Sequence, residues 1–257
     1  MRSNSIFLRI SLLGLILFVS PGAKALTGDN EKLNEFSQKD LQITIIKNPE
    51  SVLKTGFLGF NKTKDEVVIV RAKGKIIRTF VTSTAMAGKE TPDGIYNTIV
   101  RADENHESDI YHSEMDWALF LDKDIALHST TENHYEQLGR PASMGCIRLL
   151  REDARELFKI AKGQIITPEI GVQKDYVAGD DIGVNLLPKA SVKSYWESLP
   201  RSEQDLIIKM AKADKKKVLA QDIDFKKNGD TISDEFENSK DSPSVHHRSV
   251  PSQQFSH

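Results

Sequence analysis

A chain of 257 residues, 39% hydrophobic and 28% charged, suits a soluble globular protein built as one domain with appendages or as two small domains. Its net charge of −2 supplies no electrostatic basis for binding nucleic acid or an anionic membrane surface. A single cysteine excludes an internal disulfide framework.

In chain order, residues 1–25 read as a signal peptide. Arg2 and Arg9 precede the apolar run Ser11 to Val19, and Ala23-Lys24-Ala25 offers a small-x-small cleavage site, so the mature chain is expected to begin at Leu26. The alternative is an uncleaved anchor, but the run falls short of the ~20 apolar residues that span a bilayer. No cysteine lies near the site, which excludes lipoprotein anchoring. The working protein is therefore expected outside the cytoplasmic membrane. Residues 26–40 are polar and read as a lead-in helix or linker.

Residues 41–170 are β-rich. Strands are predicted at Ile43 to Ile46, Val67 to Val70, Ile76 to Val81, Ile95 to Val100, Trp117 to Leu121 and Ile125 to Leu127, with Ala72-Lys73-Gly74-Lys75 as a hairpin turn. Leu150, Ala154, Leu157, Phe158 and Ala161 recur at helical spacing, and Gly163 stands where a C-terminal cap belongs. Short strands with one inserted helix predict a mainly β fold, either a β-sandwich or an open barrel. Residues 171–238 form a partly helical C-terminal extension. Within it, Ser202 to Leu219 carries Leu206, Ile207, Met210 and Ala211 on one side and Lys209, Lys212 and Lys216 on the other. That apolar side is expected to dock on the β-rich block. Lys215-Lys216-Lys217 reads as a solvated face, with contact to an anionic polymer as the minor reading. Asp224, Asn228, Gly229 and Glu235 fall on a calcium-loop template, but Lys226 stands where an oxygen ligand belongs, so the template is set aside. Residues 239–257, including His246-His247, have the composition of a disordered tail.

The chemistry concentrates at Ser143-Met144-Gly145-Cys146-Ile147-Arg148, with His128 upstream at the end of an apolar strand. A thiol becomes a strong nucleophile when an imidazole takes its proton. A small-residue turn lets backbone N–H groups converge on an oxyanion. The alternative is a buried structural cysteine. No His/Asp/Glu cluster has metal spacing and no glycine-rich phosphate loop occurs, so no cofactor is expected.

These residues resemble the catalytic domain of bacterial L,D-transpeptidases of the YkuD type. That family carries a histidine, a spacer and a Ser/Thr-x-Gly-Cys-x-Arg/Asn signature. Here His128 is followed by the spacer 129–142 and then by Ser143 to Leu149 in register. Thr91-Pro92-Asp93-Gly94-Ile95-Tyr96 is similar to the family's Thr-Pro-x-Gly turn, and Asp153 to Phe158 through Gly163 to the helix after the cysteine. The likeness covers residues 41–170. Where the family often has His and Gly, this chain has Met144 and Ser129. Because backbone groups at those positions do the work, the implied chemistry survives, with Met144 altering substrate contacts.

The resemblance implies that Cys146 attacks the L,D bond between the third and fourth residues of a peptidoglycan stem peptide, releasing D-alanine. His128 is the implied base, oriented by the main-chain carbonyl of Ser129. Backbone N–H groups of Met144, Gly145 and Cys146 are the implied oxyanion donors, with Ser143 bonding inside the turn. Arg148 either braces the cysteine loop or meets a substrate carboxylate. Tyr111, Trp117 and Phe120 either line a substrate groove or belong to the core. His106, His112 and His134 lie in loops near the site and read as solvent-exposed, with substrate contact as the minor reading for the first two. Transfer to a free amine or a wall-attached protein gives a transpeptidase, and transfer to water an L,D-carboxypeptidase or amidase. A catalytically silent wall-binding module is the third reading, disfavoured by the intact Cys146, His128 and Arg148. A carbapenem is expected to acylate Cys146. No motif specifies an oligomeric state.

Overall fold

The computed structural model describes residues 23–47, 66–163 and 181–237. The signal-peptide pattern before Ala23 and the tail from residue 238 lie outside the described residues. The lead-in segment belongs to a helix, α1 (Ala23–Gln38), followed by β1 (Leu41–Ile46). β2 (Val67–Ala72) and β3 (Lys75–Val81) form the expected hairpin. Its turn places Lys73 at φ +48° and Gly74 at φ +76°, the doubly left-handed geometry that two-residue hairpins need.

The strand predicted over 95–100 ends at Tyr96, and the next strand begins only at Arg101, in the other sheet. β4 (Gly94–Tyr96) pairs with β9 (Ile182–Leu187), whereas β5 (Arg101–Asp103) pairs with β6 (Ala118–Phe120). The chain crosses between sheets at residues 97–100. β7 (Ala126–Ser129) and β8 (Ile147–Leu149) complete a four-stranded sheet in the order β5-β6-β7-β8. The other sheet runs β3-β2-β1-β9-β4.

β9 also corrects the expected domain boundary at residue 170. It pairs in parallel with β1 and antiparallel with β4, and all six of its residues are buried. The folded domain therefore extends to Leu187, into what the sequence assigned to the C-terminal extension.

Strand alternation explains the two cores. Leu41, Ile43 and Ile45 of β1 and Val68 and Val70 of β2 face Leu119, Leu127, Ile147 and Leu149 of the second sheet, making a sandwich. Helix α2 (Arg151–Ala161) closes that core with Ala154, Leu157 and Phe158. The opposite face, through Ile46, Val67, Ile69 and Val81, is covered by Trp196 of α3 (Lys189–Ser198) and by Ile207, Ala211 and Val218 of α4 (Arg201–Glu237). The extension thus docks as its apolar side predicts, each large buried side chain contributing about 1.5–3 kcal/mol.

One detail of α4 departs from expectation. In the lysine run, Lys216 is exposed, but Lys215 Nζ donates to the Leu138 carbonyl at 2.6 Å and Lys217 pairs with Asp153 and Asp214. The residues matched to a calcium loop are continuous helix. Among the described residues no helix is long and apolar enough to cross a membrane.

Candidate active site

The site is built where β7 and β8 run in parallel, with His128 opposite Arg148 and Leu127 opposite Ile147. Period-two alternation turns Leu127, Ile147 and Leu149 into the core and His128 and Arg148 to the other face. Cys146, two residues before Arg148, shares that face. Cys146, His128 and Arg148 accordingly line one open cavity of about 790 Å³, together with Tyr111, Met144 and Gly145.

His128 Nδ1 lies 2.6 Å from the main-chain oxygen of Ser129. A carbonyl only accepts, so Nδ1 carries the proton and Nε2 holds the free lone pair. Ser129 is itself held, its N–H donating to Asp116 O at 2.9 Å. Burial pushes His128 down to about 4, against the pull of the Ser129 bond and with help from the Arg148 charge. Burial pushes the Cys146 thiol up, partly offset by a backbone bond from Ala126 and by Arg148. The resting pair is therefore neutral thiol and neutral imidazole. The thiol donates to Asp124 O at 3.6 Å.

The cysteine turn is held from several sides. Ser143 Oγ donates to Cys146 O at 2.6 Å and accepts from Gly145 N at 3.1 Å. The Gly145 N–H is thereby taken up inside the turn, which removes it from the expected oxyanion donors. Among the described residues no hydrogen bond takes up the N–H groups of Met144 and Cys146. Gly145 sits at φ +150°, a backbone conformation that a side chain would strain.

Thr91, Thr84 and Glu66 escaped the sequence reading as site residues. Thr91 Oγ1 donates to Gly145 O at 2.6 Å and accepts from Ala85 N at 3.0 Å. The buried Glu66 carboxylate accepts from Thr84 N and Oγ1, and Thr84 O accepts from the N–H groups of Ala142 and Ser143. Only Thr91 left a signal, in the Thr-Pro turn. A lone Glu before an apolar strand carries none.

Other expected site residues divide. Tyr111 is exposed on the cavity wall, and Phe120 lines the cavity. Trp117 does not join them. At φ +57° it turns inward to meet Phe158 edge-on at 5.6 Å between centroids, so its indole packs against the core. Arg148 Nη1 reaches Gln137 Oε1 at 3.4 Å from its half-buried position, consistent with a brace. His106 lines the cavity, His112 is exposed beside Glu107, and His134 bonds Thr131 Oγ1 at 3.0 Å. Among the described residues no His/Cys/Asp/Glu group is placed to hold a metal ion.

A family model described as the L,D-transpeptidase catalytic domain matches residues 58–184. No curated protein matches the chain. Among solved structures, an L,D-transpeptidase from Stackebrandtia nassauensis is 17% identical, covering 62% of this chain and 65% of its own, with a TM-score of 0.39. One from Mycobacterium tuberculosis is 16% identical over 58% of each chain, also at 0.39. The catalytic domain of an E. faecium L,D-transpeptidase is 14% identical, covering 58% of this chain and 97% of its own, at 0.36. The chain thus spans less than two thirds of the length of the first two.

Proposed function

Residues 58–184 belong to the L,D-transpeptidase catalytic domain family, and from that premise we propose that this protein is a peptidoglycan L,D-transpeptidase with Cys146 as nucleophile and His128 as base. The observation that carries the reading is the fixed tautomer of His128, whose free Nε2 shares a cavity with the Cys146 thiol. In the first half-reaction Nε2 takes the thiol proton as sulfur adds to the carbonyl of the L,D amide. The N–H groups of Met144 and Cys146 hold the oxyanion, each strong donor contributing roughly 3–4 kcal/mol. The C–N bond then breaks, and the imidazolium returns its proton to the departing D-alanine amine. The resulting thioester passes to an acceptor amine, whose proton returns through Nε2 to the thiol.

The reading places the working protein outside the cytoplasmic membrane, on the strength of the signal-peptide pattern in residues 1–25. Incubation with tetrapeptide-stem muropeptides followed by mass spectrometry tests the reaction. The expected products are D-alanine and dimers linked between third-position residues. Tripeptide monomers alone would make the enzyme a carboxypeptidase, and unchanged substrate would remove the enzymatic reading.

A further inference from the structure

We propose that Arg101 forms a carboxylate-binding subsite of the catalytic cleft, a role that rests on the cleft's reading as a stem-peptide site. Arg101 opens β5 directly opposite Phe120 of β6, so the two side chains share a face. The guanidinium carbon lies 3.8 Å from the Phe120 ring centroid, a cation–π contact. Phe120 is itself fixed. It is buried, His106 meets its ring edge-on at 5.0 Å, and it belongs to the small apolar cluster against which Cys146 packs. Arg101 is therefore held by an aromatic ring on the wall of the cavity that also contains the nucleophile.

The other cations of that cavity have polar neighbours of their own. Lys123 Nζ lies 3.5 Å from Asp124 Oδ2, and Arg148 reaches Gln137. Among the described residues, Arg101 makes no ion pair and its N–H groups donate to no acceptor. The cavity also carries Glu90, Asp109, Asp122 and Asp124, which repel an anionic ligand unless a cation offsets them. A guanidinium pre-positioned on a ring loses little freedom on binding and offers the paired donors that a carboxylate accepts. A stem peptide brings two sources of that group, the terminal carboxylate on the D-alanine side and a carboxylate on the acyl-donor side of the scissile bond.

The test uses the full chain carrying Cys146→Ala, which separates binding from turnover. Three synthetic tetrapeptide stems are titrated: the free acid, the terminal carboxamide, and a form with only its other carboxylates amidated. Arg101→Gln is expected to weaken binding of the free acid about 10- to 100-fold, and Arg101→Lys by less. The probe on which Arg101→Gln has no effect identifies the carboxylate: the terminal carboxamide assigns the leaving-group side, the other form the donor side. Equal losses on all three probes, no loss on the free acid, or no binding of any stem would overturn the subsite. With Cys146 intact, iodoacetamide labelling should run at the same rate in Arg101→Gln, reporting an undisturbed thiol. If the unsubstituted protein released no D-alanine while binding still depended on Arg101, the transpeptidase reading would fall and the subsite would stand. If Arg101→Gln turned over and bound every stem like its parent, the subsite alone would fall.

Discussion

The cleft at β7 and β8 and the seat of α4 treat polar groups in opposite ways. In the cleft, valences stay open: the Nε2 lone pair of His128, the N–H groups of Met144 and Cys146, and the fork of Arg101. Under α4 they are closed. Asp214 accepts from Val81 N at 2.6 Å, Lys215 donates to Leu138 O, and Lys217 bridges Asp153 and Asp214. One atom breaks the pattern, Asp153 Oδ2, which is buried with no hydrogen-bond partner. Burial and the nearby Asp214 carboxylate hold Asp153 well above the usual carboxylate range, against the pull of Lys217. Open valences serve chemistry and closed ones hold the fold, so substitutions on the two sides should separate activity from stability.

The largest separation is expected at Cys146. Cys146→Ala should lower turnover by at least about a thousandfold while leaving the melting temperature unchanged, since one small side chain at the cavity wall is removed. Next, ending the chain at Pro200 uncovers the sheet face that Ile207, Ala211 and Val218 bury. Its melting temperature should fall by roughly 10 °C or more, with Cys146 still labelled by iodoacetamide below that temperature. Lost labelling with unchanged melting would reverse the assignment of α4. More locally, Lys217→Met leaves the buried Asp153 and Asp214 side chains without their cation and should cost about 3–5 kcal/mol in denaturant unfolding. Activity should persist where the variant remains folded.

The pH dependence belongs to the cleft. His128 binds its proton more weakly when folded, so the unfolded chain takes up protons first as pH falls. Stability contributed by its neutral form is complete above about pH 6.5 and lost as pH falls through about 4. The shift from 6.5 to about 4 is worth about 3 kcal/mol. Denaturation at pH 7 and pH 4.5 should show a smaller acid loss in His128→Gln than in the unsubstituted protein, and equal losses would refute the buried neutral imidazole. The smallest effect is expected at Thr91. Thr91→Val leaves Gly145 O and Ala85 N without their partner, at about 1–3 kcal/mol of stability, and should slow acylation of Cys146 by loosening its turn.

Local physics made part of this legible. The β2–β3 hairpin and α2 follow from turn residues and periodicity, and the Cys–His pair from a signature whose members fall on one strand face. What escaped depends on distant partners. Ile182 to Leu187 lies buried beside both β1 and β4, so it shows no alternation, and its parallel partner β1 is far away in sequence. Trp117 turns inward through a backbone conformation that residue type does not announce. Lys215 and Lys217 look like solvent-facing charges until α4 lies against Leu138 and Asp153. Arg101 carried no signal because its neighbour Phe120 comes from another strand.

Intact-mass measurement during turnover of a tetrapeptide-stem substrate tests the central assignment most directly. The account predicts a covalent adduct on Cys146 equal to the stem without its terminal D-alanine, formed in the unsubstituted protein, strongly slowed in His128→Ala and absent in Cys146→Ala. D-alanine release at an undiminished rate from Cys146→Ala, or an adduct on any other residue, would contradict it.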